Sequence, residues 1–284
     1  MGMSSYEQLS ERILAKLDVG NWDEAFEELK TLESNGNADA IAVLAQFYLH
    51  GIGVAKDTEL AVELFEKAID MGCGQAAWEL GKQYYNDDSE LPQNRSKAVS
   101  VLEKGANLGD ASCMGSLAKC YLFGNGVSEN HSKAFDYAIR SAKVGDVNGI
   151  YITAICYDDG LGTNADPGAA YNWYKEYLEY EPDDDEVMLR IALCLADPYE
   201  QFGIRPTGDM LNEAFFYAGK AVEKGNVEAH LIVGWFYERG EVVPCDFDMA
   251  HKYIQIAADN GHEFAREHLN IYRKNLYGNY YIPN

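Results

Sequence analysis

The chain has 284 residues, 47% of them hydrophobic, and its 46 acidic against 23 basic side chains give a net charge of −23 at pH 7. That balance argues against the basic footprint of a nucleic-acid binder and against a polybasic membrane anchor. No run approaches the roughly 18 consecutive apolar residues of a membrane-spanning helix, and length alone allows either two compact domains or one extended array.

In chain order, Ser5 to Leu17 places Leu9, Ile13 and Leu17 on one helical face. Gly20 breaks that helix, and Asn21 opens a second one through Ala25 and Leu29. This pair, 5–36, reads as an atypical N-terminal cap. From Asn37 the chain repeats itself about every 36 residues, as 37–72, 73–109, 110–145, 146–181, a divergent 182–225, and 226–261. The register is set by closing glycines at Gly36, Gly72, Gly109, Gly145, Gly225 and Gly261, with Glu181 in the one gap. Eleven residues before each of these positions stands an alanine: Ala25, Ala61, Ala98, Ala134, Ala170, Ala214 and Ala250. Fifteen before stand Asn21, Asp57, Asn94, Asn130, Asp166, Met210 and Asp246, all Asx but one. An Asx start and a glycine stop bracket the second helix of each unit, helix B.

Helix A follows each closing glycine. Small residues (Ala40, Ala76, Cys113, Gly149, Ala229), then Leu44, Leu80, Leu117, Thr153 and Val233, then Tyr48, Tyr84, Tyr121, Tyr157 and Tyr237, return to one face of a 3.6-residue period. Between A and B lie Gly51-Ile52-Gly53, Gly124-Asn125-Gly126 or Gly160-Leu161-Gly162, turns that call for positive φ. The second unit has a polar loop, Asp87 to Pro92, in their place. The divergent unit lacks the tyrosine, the tight turn and the preceding closing glycine, and carries a long loop at 196–209 that is expected to make it the least stable segment. His262 to Leu276 reads as a lone capping helix before a tyrosine-rich tail to Asn284.

Small-x3-Leu-small-x2-Tyr-x2-Gly-x-Gly-Val, then Asx-x3-Ala and a closing Gly, resembles the SEL-one-like repeat, a relative of the tetratricopeptide repeat. The resemblance covers about Asn37 to Gly261. It implies an all-α fold, a right-handed α/α solenoid of antiparallel helix pairs forming one domain, with 262–284 as its C-terminal cap and tail. It also implies a non-catalytic scaffold or adaptor that holds a protein or peptide on the concave helix A face.

The chemistry-bearing residues agree with that absence of catalysis. Cys113, Cys120, Cys156 and Cys194 read as small core residues. Cys113 and Cys120 lie about 10 Å apart along a helix, too far to bridge. No C-x2-C clamp and no zinc-binding pair of histidines on one helix turn occurs among the six cysteines and six histidines. No nucleophile elbow or phosphate loop is present, so no catalytic residue, metal or cofactor is expected. Unpaired cysteines and the lack of a secretory leader point to a reducing cytoplasm.

Positions six, ten and thirteen after each closing glycine lie roughly 150° around the helix A wheel from the face that meets helix B, at about 100° per residue. They are Ala42, Gln46 and Leu49; Trp78, Lys82 and Tyr85; Gly115, Lys119 and Leu122; Tyr151, Ile155 and Asp158; Leu231, Trp235 and Glu238. A surface carrying two tryptophans and two tyrosines in this row points to a docking face. The expected partner is a protein or peptide, with neither nucleic acid nor membrane insertion involved. An alternative is a dedicated neutraliser of the immunity type, which would hold a basic protein by its acidic surface.

Overall fold

A computed structural model describes residues 4–196 and 206–283. The loop expected at 196–209 therefore falls, but for its ends, outside the described residues. Among those described the chain is all-α apart from one short hairpin, and helix pairs joined by tight turns repeat along it as a solenoid. Contacts divide it into two compact units, Met1–Thr153 and Ala154–Asn284.

The first unit contains α1 (Ser5–Asp18), α2 (Trp22–Ser34), α3 (Ala38–His50), α4 (Thr58–Asp70), α5 (Gly74–Tyr85), α6 (Arg95–Asn107), α7 (Ala111–Phe123), α8 (His131–Ala142) and the start of α9 (Val147–Asp159). The helix B starts are those the Asx positions predict: Asp57, Asn94 and Asn130 each accept a hydrogen bond from the amide three residues on. Asn21 makes no such side-chain bond. A second set of caps was not anticipated. Asn37, Asp110 and Asp146, each directly after a closing glycine, accept from the amides of Ala40, Cys113 and Gly149. One Gly-Asx pair thus ends helix B and begins the next helix A.

The repeat alanines lie inside the packed helix pairs, and all seven are fully buried. Close approach is also enforced from helix A. A β-carbon on Gly81 would stand 2.7 Å from Leu102 Cδ2 on α6. Gly124 and Gly126 have φ of +66° and +78°, as the tight turn requires.

The second unit continues with the rest of α9, then α10 (Pro167–Tyr177), α11 (Asp185–Ala196), α12 (Gly208–Lys224), α13 (Val227–Arg239), α14 (Phe247–Asp259) and α15 (Glu263–His268). Met210 breaks the Asx rule because it is not a cap: α12 begins earlier, and the Thr207 hydroxyl accepts from the Met210 amide.

The lone helix expected over His262–Leu276 stops at His268. A 3-10 turn, Leu269–Ile271, leads into a hairpin of β1 (Arg273–Lys274) and β2 (Tyr280–Tyr281), paired antiparallel with Arg273 opposite Tyr281. Tertiary contacts override the helical pattern here. Tyr272 is buried with its hydroxyl donating to Glu238, and Tyr280 stacks on His251 with ring centroids 3.6 Å apart. The Tyr280 amide donates to Asp248 Oδ1 at 2.8 Å, which ties the hairpin to α14.

Candidate partner-binding groove

Four of the expected face residues converge in the first unit. Trp78, Lys82 and Tyr85 follow one another at spacings of four and three on α5, and Lys119 comes from α7; together they line a groove of about 690 Å³ that opens to solvent. Its floor is Gly81, Leu102 and Cys120, and its remaining polar lining is Asn86, Ser116 and Asn148. The sequence reading missed Asn86, Ser116 and Asn148. They sit at a helix end, on the flank of α7 and at the start of α9, positions that no single-helix wheel brings together.

The side chains are held in place. Lys82 Nζ lies 3.7 Å from the centre of the Trp78 ring and 3.0 Å from a Glu79 oxygen. Such a stacked ammonium is attracted by the negative ring face. The Arg95 guanidinium, at the start of α6, lies 5.6 Å from the Tyr85 ring centre. Burial raises the pKa of the Tyr85 hydroxyl, with Arg95 and Asn125 pulling the other way. Lys119 is exposed and makes no salt bridge among the described residues.

Other expected face residues have different tasks. Gln46 donates to Glu79 at 2.9 Å and so orients the carboxylate that holds Lys82. Leu49, Leu122 and Leu231 are at most 4% exposed, and Ala42 and Gly115 are buried too. For these five the helical wheel misleads, because helix A is covered on both flanks. α5, for example, packs on α3 and α7 as well as on its own helix B. Leu231 packs with Ala250, Ile254 and Ala265. Asp158 is engaged by the Tyr174 hydroxyl at 3.1 Å and by Arg190 at 3.2 Å. Tyr151 and Ile155 are half-buried.

In the second unit, Trp235 lines a smaller and mainly apolar pocket of about 310 Å³ with Leu193, Ile232 and Arg239, and its ring meets Phe264 edge-on at 6.0 Å. Glu238 is engaged within the chain, accepting from His268 Nε2 at 2.8 Å and from the Tyr272 hydroxyl. Among the described residues no cluster of His, Cys, Asp or Glu could hold a metal ion, and no helix is long and apolar enough to cross a membrane.

Among curated proteins none matches the chain. Among solved structures it is similar to a Sel1 repeat protein from Oxalobacter formigenes at 23% identity, covering 88% of this chain and 96% of that one, with a TM-score of 0.59. It is also similar to a protective antigen of uropathogenic Escherichia coli strains that displays an SLR fold, at 23% identity and a TM-score of 0.66; there 94% of this chain matches 59% of the antigen. An immunity protein from Pseudomonas aeruginosa is 18% identical over 79% of this chain and 83% of that one, with a TM-score of 0.43. A family model described as Sel1 repeat matches residues 38–73, 74–110, 111–146, 148–176, 199–226 and 227–262. With most of its length matched in this way, the chain belongs to the Sel1 repeat family.

Proposed function

We propose that this chain is a non-catalytic adaptor that holds a protein or peptide partner in the helix A groove of its first unit. Sel1 repeats build protein–protein interaction scaffolds. The observation that carries the reading further is the convergence of Trp78, Lys82, Tyr85 and Lys119 on one groove. Tryptophan, tyrosine and cationic side chains in a partly desolvated pocket are the usual anchors of protein interfaces. Repeated packing chemistry, with no convergent set of acid, base and nucleophile among the described residues, supports a binder rather than an enzyme.

The test is capture on the immobilised chain from extract of its native cell. A partner retained by the natural chain should be lost on Trp78→Ala, and on Trp78→Ala with Trp235→Ala, while circular dichroism keeps its helical signal. Undiminished capture by the folded double variant would exclude the groove. A second reading, neutralisation of a basic protein, is favoured by the net charge of −23. In that case capture should fall steeply with salt and survive Trp78→Ala.

A further inference from the structure

The groove differs in charge from the chain that builds it. Acidic residues outnumber basic ones by 46 to 23 overall, yet the lining contains Lys82 and Lys119 and no carboxylate. Arg95 adds a third cation beside Tyr85. Lys82 is matched by Glu79. Lys119 and Arg95 are exposed and make no salt bridge among the described residues.

The thiols report the same local inversion. Cys120, on the groove floor, is pushed up to about 11 by burial, and the charges acting on it, Lys119 and Arg95, are both cations that oppose the rise. The buried Cys73 and Cys113 of the same unit feel the carboxylates of Asp39, Asp110 and Asp146 instead.

Arg95 also stands where helix stability does not ask for it. It is the first residue of α6, whose opening turn holds no acidic residue. The positive end of the helix dipole favours Asp or Glu there and disfavours a cation. A cation at that position, over the ring of a groove-lining tyrosine, fits a role in recognition better than one in folding.

We propose that this groove takes an acidic peptide segment of a partner protein, with Asp or Glu carboxylates on Lys119 and Arg95 and a neighbouring apolar side chain against Trp78 and Tyr85. Asn86, Ser116 and Asn148 supply hydrogen bonds to the peptide backbone or to the second carboxylate oxygen. The chain's net charge of −23 repels acidic proteins at long range, so such a segment must reach the groove from a flexible or protruding stretch rather than from a broad acidic face. The assignment rests on the adaptor reading above and adds the class of ligand to it.

The experiment is selection of displayed random peptides on the immobilised full chain, followed by fluorescence anisotropy with the peptides recovered. Recovered peptides should pair Asp or Glu with Leu, Phe, Tyr or Trp. Replacing their acids by the corresponding amides should weaken binding on the order of tenfold, as should Lys119→Glu or Arg95→Glu in the protein. Both positions are exposed, so these variants should keep their helical signal, and Arg95→Glu should melt no lower than the natural chain. Recovery of basic or neutral peptides, no recovery at all, or equal binding by both charge variants would overturn the assignment. If recovered peptides ignore charge but lose binding on Trp78→Ala, the adaptor groove stands and only the acidic ligand falls. If they ignore Trp78 as well, both fall.

Discussion

The turn at Gly126 is seated against Arg95: a β-carbon on the glycine would stand 2.4 Å from the Arg95 carbonyl oxygen. The obstacle is backbone and cannot rotate away, and φ at Gly126 is +78°. Gly126→Ala should therefore lose about 2–4 kcal/mol, the left-handed penalty plus overpacking. Gly109→Ala has a similar φ of +89° but meets nothing within 4 Å. It should lose only about 1–2 kcal/mol. Urea unfolding of the two variants tests this, and equal losses would mean that the turn is not packed on α6.

Ala134 on α8 is fully buried, and Ser128 in the turn before it is exposed. Ala134→Leu should destabilise by about 1–3 kcal/mol through overpacking, whereas Ser128→Ala should stay within about 0.5 kcal/mol. Coincident thermal melts would contradict the role given to the repeat alanines.

Asp146 carries a pH signature. Burial raises its carboxyl pKa above the ordinary 3.8, against the Gly149 amide and the Ser141 hydroxyl, which lower it. A raised folded value means that the native chain holds a proton here which the unfolded chain has released. The contribution to stability is therefore present in full below 3.8 and is lost as pH rises through the folded value. Asp146→Asn keeps an acceptor oxygen for the Gly149 amide and does not ionise. The stability of the natural chain minus that of the variant should fall as pH rises from 3.8. A difference that stays constant, or rises, would show that the carboxylate is not penalised in the fold.

Tyr272→Phe removes the hydroxyl that donates to Glu238 and leaves His268 as its partner. The loss should be about 0.5–1.5 kcal/mol, concentrated at the C-terminal end. Hydrogen exchange should show faster amides at Tyr272 and Tyr280, with α7 unchanged. Uniform acceleration along the chain would argue against a local cap.

The repeat was legible because its signals are local. Asp57, Asn94 and Asn130 cap helices through bonds spanning three residues, and Ala98 or Gly81 are small because one neighbouring helix lies close. The groove was half legible. Trp78, Lys82 and Tyr85 share a face of one helix, so a wheel finds them. Leu49 and Leu122, at the wheel position of Tyr85, and Leu231, at that of Trp78, are buried in their own repeats, because coverage from flanking helices cannot be read from one helix. The engagement of Glu238 and the early end of the capping helix were not legible for a related reason. The contacts that decide both, His268 and Tyr272 with Glu238 and Tyr280 with Asp248, each span 30 or more residues of chain.

The placement of the thiols has a practical consequence. Five of the six cysteines are buried and Cys245 is exposed. Burial pushes Cys120 to about 11 and Cys73 and Cys156 to about 12, and drives Cys113 and Cys194 higher still. Alkylating reagents attack the thiolate, so near neutral pH the native chain offers one reactive site. Cys113, Cys120, Cys156 and Cys194 become reactive only when their own helices open, and Cys73 when the start of α5 does. The natural chain thus carries its own set of reporters at the start of α5 and on α7, α9 and α11. Timed alkylation read by mass spectrometry would order their openings without an engineered label, with Cys245 as the internal clock.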